Sequence, residues 1–210
     1  MRKVLIAGLF VLCGFPATAE PVVIAALGDS LTQGYGLPQG QGFVPQMQEW
    51  LDKQGVDVEL VNAGVSGDTT AGGAARVAWT LTPEVDAMIV TLGGNDMLRG
   101  IDPAAVRQNL TTILTAARDA DVQVLLVGMQ APGNYGPEYK AEFDNAYIEL
   151  ADEFGVLRAE SFFQGFPVND DPSAVQQWMQ ADGIHPNPEG VNLIVEGLGP
   201  QVLELAKAAN

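Results

Sequence analysis

Five short apolar runs set the strongest limit on what this chain can fold into. They lie at residues 22–27, 56–61, 85–92, 122–128 and 156–159. The first three each end in polar residues that include glycine, and the fourth is almost pure valine and leucine, the composition of a strand buried on both faces. Helical segments are read between them over 42–54, 71–81, 102–119 and 138–154, and again over 188–208. Asp102-Pro103 and Asn187-Pro188 carry the cap and first-turn proline that start a helix. Strand and helix in strict alternation imply an α/β chain with a parallel sheet and helices on both faces. In such sheets the loops at the carboxyl ends of the strands line a crevice where ligands bind.

The first 19 residues stand apart. Arg2-Lys3, the apolar stretch 4–12 and Ala17-Thr18-Ala19 have the layout of a secretory signal peptide cleaved after Ala19. Its apolar core is shorter than the about 20 residues a membrane-spanning helix needs, so no stable membrane anchor is expected. Residues 20–210 then read as one domain. The only cysteine, Cys13, lies in the leader, which removes disulfides and a thiol nucleophile from the processed chain. The net charge of −16 becomes more negative once Arg2 and Lys3 are gone. So acidic a protein repels nucleic-acid phosphates and anionic bilayers while admitting a neutral small-molecule substrate. The oligomeric state is open, with a monomer as the working expectation. Export places the protein in the periplasm of a Gram-negative source and outside the cell otherwise.

Gly28-Asp29-Ser30-Leu31 follows the first strand directly, and Thr32 to Gly36 reads as a turn. A serine there also caps helices well, which is the competing reading of Ser30. His185 is the only histidine. Pro186 keeps it out of helical geometry, and Asp182 precedes it across a glycine turn, a spacing that lets the carboxylate reach the ring and fix its tautomer. A serine hydroxyl is too weakly acidic to attack an acyl carbon unaided, and a neighbouring imidazole base is the common remedy. Ser30 as nucleophile, His185 as base and Asp182 as orienter satisfy that requirement. The alkoxide that forms needs donors, for which the Ser30 N–H, the Gly67 N–H and the Asn95 side chain are candidates at the ends of three different strands. Asp29, Asp68 and Asp96 read as residues that brace these loops by bonding nearby backbone, since a carboxylate facing a forming oxyanion would oppose it. Phe162, Phe163, Phe166, Trp178 and Met179, with Met97 and Leu98, are candidates for an apolar acyl groove, with ordinary core as the alternative for each. A loop from Met129 to Tyr139 is placed to cover an acyl chain.

Taken together, Gly28-Asp29-Ser30-Leu31, Gly67, Gly93-Gly94-Asn95-Asp96 and Asp182-Gly183-Ile184-His185-Pro186 resemble the motif set of the SGNH (GDSL) hydrolases, in the same order and over nearly the whole processed chain. Gly93 to Gly100, Ala131 to Gly136 and Trp178 to Asp182 are similar to the secreted bacterial arylesterase, acyl-CoA thioesterase and lysophospholipase type. The resemblance implies a flavodoxin-like, three-layer α/β/α sandwich with five parallel strands. It also implies hydrolysis of esters, thioesters or lysophospholipids through an acyl-serine with no metal and no cofactor. The family's functional residues fall on Ser30, Gly67, Asn95 and His185, with Asp182 as the acid.

Two other functions fit parts of the pattern. A carbohydrate O-deacetylase would use the same chemistry with a more polar pocket. A secreted ligand-binding protein on this fold would have little physical reason to keep nucleophile, base, orienter and donors together. Dinucleotide binding lacks its Gly-x-Gly-x-x-Gly turn, and the Gly-x-Ser-x-Gly elbow of α/β-hydrolases is also missing.

Overall fold

The computed structural model describes residues 20–167 and 172–210. The expected leader and Cys13 lie outside the described residues. Five strands, β1 (Val22–Gly28), β2 (Val58–Gly64), β3 (Ala87–Thr91), β4 (Gln123–Val127) and β5 (Leu157–Ala159), form one parallel sheet in the order β2-β1-β3-β4-β5. This is the flavodoxin-like strand order, whose direction of winding reverses between β1 and β3. The sandwich expected from the motif set is therefore the one observed.

Among the described residues, seven α-helices connect and cover the sheet: α1 (Ser30–Gln33), α2 (Phe43–Lys53), α3 (Thr70–Thr80), α4 (Gly94–Leu98), α5 (Pro103–Asp119), α6 (Pro137–Phe154) and α7 (Pro188–Ala208). Helices α2 and α7 pack on each other over one face, while α5 lies between α3 and α6 over the other. That division follows from right-handed crossovers between parallel strands. The central strands are almost wholly buried, as apolar runs without alternation require.

Strand β2 is an edge strand with several exposed residues, and it begins at Val58 rather than at Val56. The Val56 N–H instead bonds the Leu51 carbonyl and closes the end of α2. The outward-facing groups of β2 are partly occupied by one side chain. Gln48 of α2 donates through Nε2 to the Val58 carbonyl at 2.8 Å and accepts at Oε1 from the Leu60 N–H at 2.8 Å.

Register brings the functional loops together. Gly28 of β1 lies level with Gly64 of β2 and with Thr91 of β3. The three chains therefore leave the sheet side by side, and the next few residues of each are Asp29-Ser30, Val65-Ser66-Gly67 and Leu92 to Asn95. The end of β3 is fixed from below by Tyr147 of α6, fully buried, whose hydroxyl donates to the Leu92 carbonyl at 2.8 Å. Burial raises the pKa of that hydroxyl well above its ordinary value. Gly93 then turns the chain at φ +112°, where a side chain is strained and where a methyl group would strike the Tyr147 hydroxyl.

Candidate active site

Helices α1 and α4 place the site, and neither shows in the hydrophobic pattern. They span four and five residues, too few for a helical period to register. Local bonding forms α1. The Asp29 carboxylate accepts from the Leu31 N–H at 2.9 Å, and Gly34 closes the turn in the left-handed region at φ +86°. The cap is therefore Asp29, not Ser30. Ser30 becomes the first helical residue, and its side chain is released from capping.

The Ser30 Oγ lies 2.8 Å from Nε2 of His185, and His185 Nδ1 lies 2.7 Å from Oδ2 of Asp182. Asp182 Oδ1 accepts from the Ile184 and His185 N–H groups at 2.9 and 3.0 Å, so the carboxylate is held by the loop it orients. Gly183 makes the turn at φ +67°. The His185 backbone N–H, the His185 ring and the Ile184 N–H bring the Asp182 carboxyl down from 3.8 to about 2. It stays ionised, and an ionised carboxylate beside Nδ1 favours a proton on that nitrogen and leaves Nε2 free to accept. Gln180 fastens this loop to the one that follows Ser30. Its N–H donates to the His185 carbonyl at 2.7 Å, and its Nε2 donates to the carbonyls of Tyr35 and Pro186. The Tyr35 ring rests against the imidazole at 4.7 Å.

Asn95, Gly67 and the Ser30 backbone meet on the other side of the serine. Asn95 Nδ2 donates one hydrogen to Asp29 Oδ2 at 3.2 Å and has a second to offer the cavity that it lines. Arg99 Nη2 donates to the Gly67 carbonyl at 3.0 Å and lies 3.5 Å from Asn95 Oδ1, which opposes a flip of the amide. Among the described residues, no hydrogen bond of these loops uses the Ser30 or Gly67 N–H. Such an arrangement can attack a carbonyl with the hydroxyl, take up its proton on the ring and stabilise the oxyanion with three donors.

The three acidic neighbours act as braces over different ranges. Asp29 bonds nearby backbone as expected, and its burial raises its pKa from 3.8 to about 6 against the lowering pull of the Leu31 and Asn95 bonds. Asp96 instead reaches the first turn of α3 and accepts from the Thr70 N–H at 2.9 Å and the Thr70 hydroxyl at 2.6 Å. Asp68 pairs with a side chain, Arg76, at 2.7 Å. Among the described residues, no three His, Cys, Asp or Glu side chains gather so as to hold a metal ion.

A cavity of about 480 Å³ opens beside the serine, and Met97, Leu98, Phe163 and Met179 line it. Phe162, Phe166 and Trp178 lie elsewhere. Phe162 is fully buried against Phe43, and Phe166 lies between Phe163, which it meets edge-on, and Trp178, against which it is tilted. Leu31, Tyr35, Met129 and Ile184 complete the apolar lining; Met129 opens the loop expected to cover an acyl chain, and the sequence pattern does not single out the other three for it. Two of them have a signal in their position, because Leu31 directly follows the serine and Ile184 directly precedes the histidine. The segment from Met129 to Tyr139 is held to its surroundings at both ends. Its Ala131 N–H donates to Asp144, Lys140 Nζ donates to the Ala131 carbonyl at 2.8 Å, and the Tyr139 hydroxyl donates to the Ile101 carbonyl.

The model of the GDSL-like lipase/acylhydrolase family matches residues 26–193, which contain the serine, both candidate donor loops and the histidine. The chain belongs to this family. This GDSL-like acylhydrolase is 38% identical to the esterase TesA of Pseudomonas aeruginosa over 98% of its own length and all of the relative's. It is 35% identical to the thioesterase 1/protease 1/lysophospholipase L1 of Escherichia coli K12, over 93% of its length and 89% of the relative's. The crystal structure of AlinE4, an SGNH-hydrolase family esterase, superposes with a TM-score of 0.72 at 39% identity, covering 90% of this chain and 98% of that one. The acylhydrolase is a serine esterase acting on small-molecule esters.

Proposed function

We propose that Ser30 is the nucleophile of this esterase, His185 its general base and acid, and Asp182 the group that orients the ring. The Ser30 and Gly67 N–H groups and Asn95 Nδ2 are its oxyanion donors. The observation that carries this reading is the unbroken chain from Ser30 Oγ to His185 at 2.8 Å and on to Asp182 at 2.7 Å, at the wall of an apolar cavity.

As Ser30 Oγ bonds to the acyl carbon, its proton passes to His185 Nε2 and the carbonyl oxygen becomes an anion held by the three donors. The tetrahedral species collapses, the bond to the leaving oxygen or sulfur breaks, and Nε2–H returns its proton to that atom. Water then attacks the acyl-serine with His185 again as base, and the free acid leaves with Ser30 restored. Asp182 stays charged throughout and stabilises the transient imidazolium.

The lining by Leu31, Met97, Leu98, Met129, Phe163 and Ile184 suits an apolar acyl chain or aryl group better than a sugar, which weighs against a carbohydrate O-deacetylase. Esters and thioesters with such acyl groups, lysophospholipids among them, are the substrates we assign. Residues 20–210 form the single functional domain, and residues 1–19 direct export before removal. No helix among the described residues is long and apolar enough to cross a membrane.

Hydrolysis of p-nitrophenyl esters from acetate to palmitate, beside Ser30→Ala, tests the assignment. Turnover that rises toward medium chains and vanishes in the variant is the expected result. Undiminished turnover in Ser30→Ala refutes the nucleophile, and acetate-only activity refutes the acyl-groove reading.

A further inference from the structure

Arg76 of α3 lies behind the site, and its guanidinium bonds three groups to which no chemical role is assigned above. Its side chain is 23% exposed, and three of its nitrogens each have a separate acceptor. Nε donates to Asp68 Oδ2 at 2.7 Å, Nη1 to the Ala63 carbonyl at 2.8 Å and Nη2 to the Gly28 carbonyl at 2.9 Å. Gly28 precedes Asp29-Ser30, Ala63 lies one residue from the end of β2, and Asp68 follows Gly67. One planar group therefore bridges the strand end that delivers the serine and both ends of the loop that delivers Gly67.

We infer that Arg76 is a positioning residue that sets the spacing between the Ser30 and Gly67 N–H donors. The inference rests on the oxyanion reading given above. Two backbone donors serve one oxygen only if both sit about 2.7–3.1 Å from it. The ladder between β1 and β2 ends at Gly28 and Gly64, so both donors project past the last rung. One backbone bond crosses there, from the Val65 N–H to the Gly28 carbonyl at 3.0 Å, and Arg76 fills the second acceptor place on that same carbonyl. Its grip on Asp68 then fixes the far side of the Gly67 turn, where φ is +81° and the backbone has the freedom of glycine. Charge is not the main contribution, because Asp68, 14% exposed, balances the guanidinium. What a lysine cannot reproduce is the rigid fork that meets three acceptors at once.

The test compares Arg76→Ala, Arg76→Lys and Ser30→Ala with the parent enzyme in kcat and KM for p-nitrophenyl butyrate, with thermal unfolding of each. In Arg76→Ala, kcat falls about 10²-fold with KM little changed, as misplacement of reacting groups by a remote change does. Guanidinium at a sub-denaturing level restores part of kcat, and sodium chloride at equal ionic strength does not. Arg76→Lys keeps the ion pair and the fold but remains at least several-fold slow, and it decides the question if the alanine variant does not fold. Parental kcat in a folded Arg76 variant overturns the inference, as does a loss that guanidinium leaves untouched and that follows the drop in Tm. Ser30→Ala separates the two levels. If it retains turnover, the serine reading itself fails. If it is inactive while the Arg76 variants run at parental kcat, only the clamp fails.

Discussion

Asp29 is 1% exposed, and burial raises its carboxyl from 3.8 to about 6, so the folded protein holds this proton more tightly than the unfolded chain does. With more protons bound in the folded state, stability from this group falls as pH climbs from about 4 through about 6 and levels off above. The whole shift corresponds to about 3 kcal/mol, of which roughly 2–3 kcal/mol develops between pH 4 and pH 7.5. Asp29→Asn removes the titration. An asparagine still accepts from the Leu31 N–H through Oδ1, but its amide nitrogen confronts Asn95 Nδ2 where Oδ2 had accepted at 3.2 Å. That mismatch costs about 1–3 kcal/mol at every pH. The variant is therefore less stable than the parent near pH 4 and regains roughly 2–3 kcal/mol relative to it by pH 7.5. At about 2–4 °C per kcal/mol for a chain of this size, the gap in Tm moves by roughly 5–10 °C in favour of the variant. Thermal unfolding of both proteins across that range measures it. Two curves that stay parallel would refute the claim that a desolvated carboxylate with a raised pKa is buried beside the serine.

Two further outcomes follow from the site and the leader. Asn95→Ala lowers kcat by roughly 10²–10³-fold with KM little changed, in line with other oxyanion donors, and steady-state kinetics on a p-nitrophenyl ester checks it; an unchanged kcat removes Asn95 from the oxyanion set. Protein recovered from the exported fraction of its host begins at Glu20 by N-terminal sequencing, whereas a chain that still begins at Met1 sinks the leader reading.

How much of the fold and the site is legible in the sequence depends on how local each signal is. β1, β3 and β4 are buried on both faces, so their positions stand out as unbroken apolar runs. β2 is half exposed, and its start lies two residues later than the apolar run suggests because helix closure at Leu51 claims Val56. Asp182 and His185 are three residues apart, close enough for their contact to be read from spacing. Helix α1 is hidden because its stability lies in a cap and a glycine, not in a repeat. Phe162 and Phe163 show a different limit. They are adjacent in the chain, but one faces Phe43 in the core and the other faces the cavity, a choice set by the backbone of an irregular segment. Arg76 is invisible for a further reason, since its acceptors at Gly28 and Ala63 come from separate strands and meet only after the sheet has formed.

Gln48 bears on how these molecules treat one another when crowded. A parallel sheet with a bare outer strand invites a neighbour to continue it, and chain after chain can then accrete through main-chain bonds alone. Here the first two outward main-chain positions of β2 are already taken by an amide that imitates a strand, and Asn62 accepts from the Gly64 N–H farther along. An incoming strand would have to evict a resident that is also anchored through Asp52 of its own helix. The β2 edge thus ends in a stopper of its own making, and an enzyme with no cysteine after Cys13 to cross-link it can be concentrated with that edge closed to polymerisation.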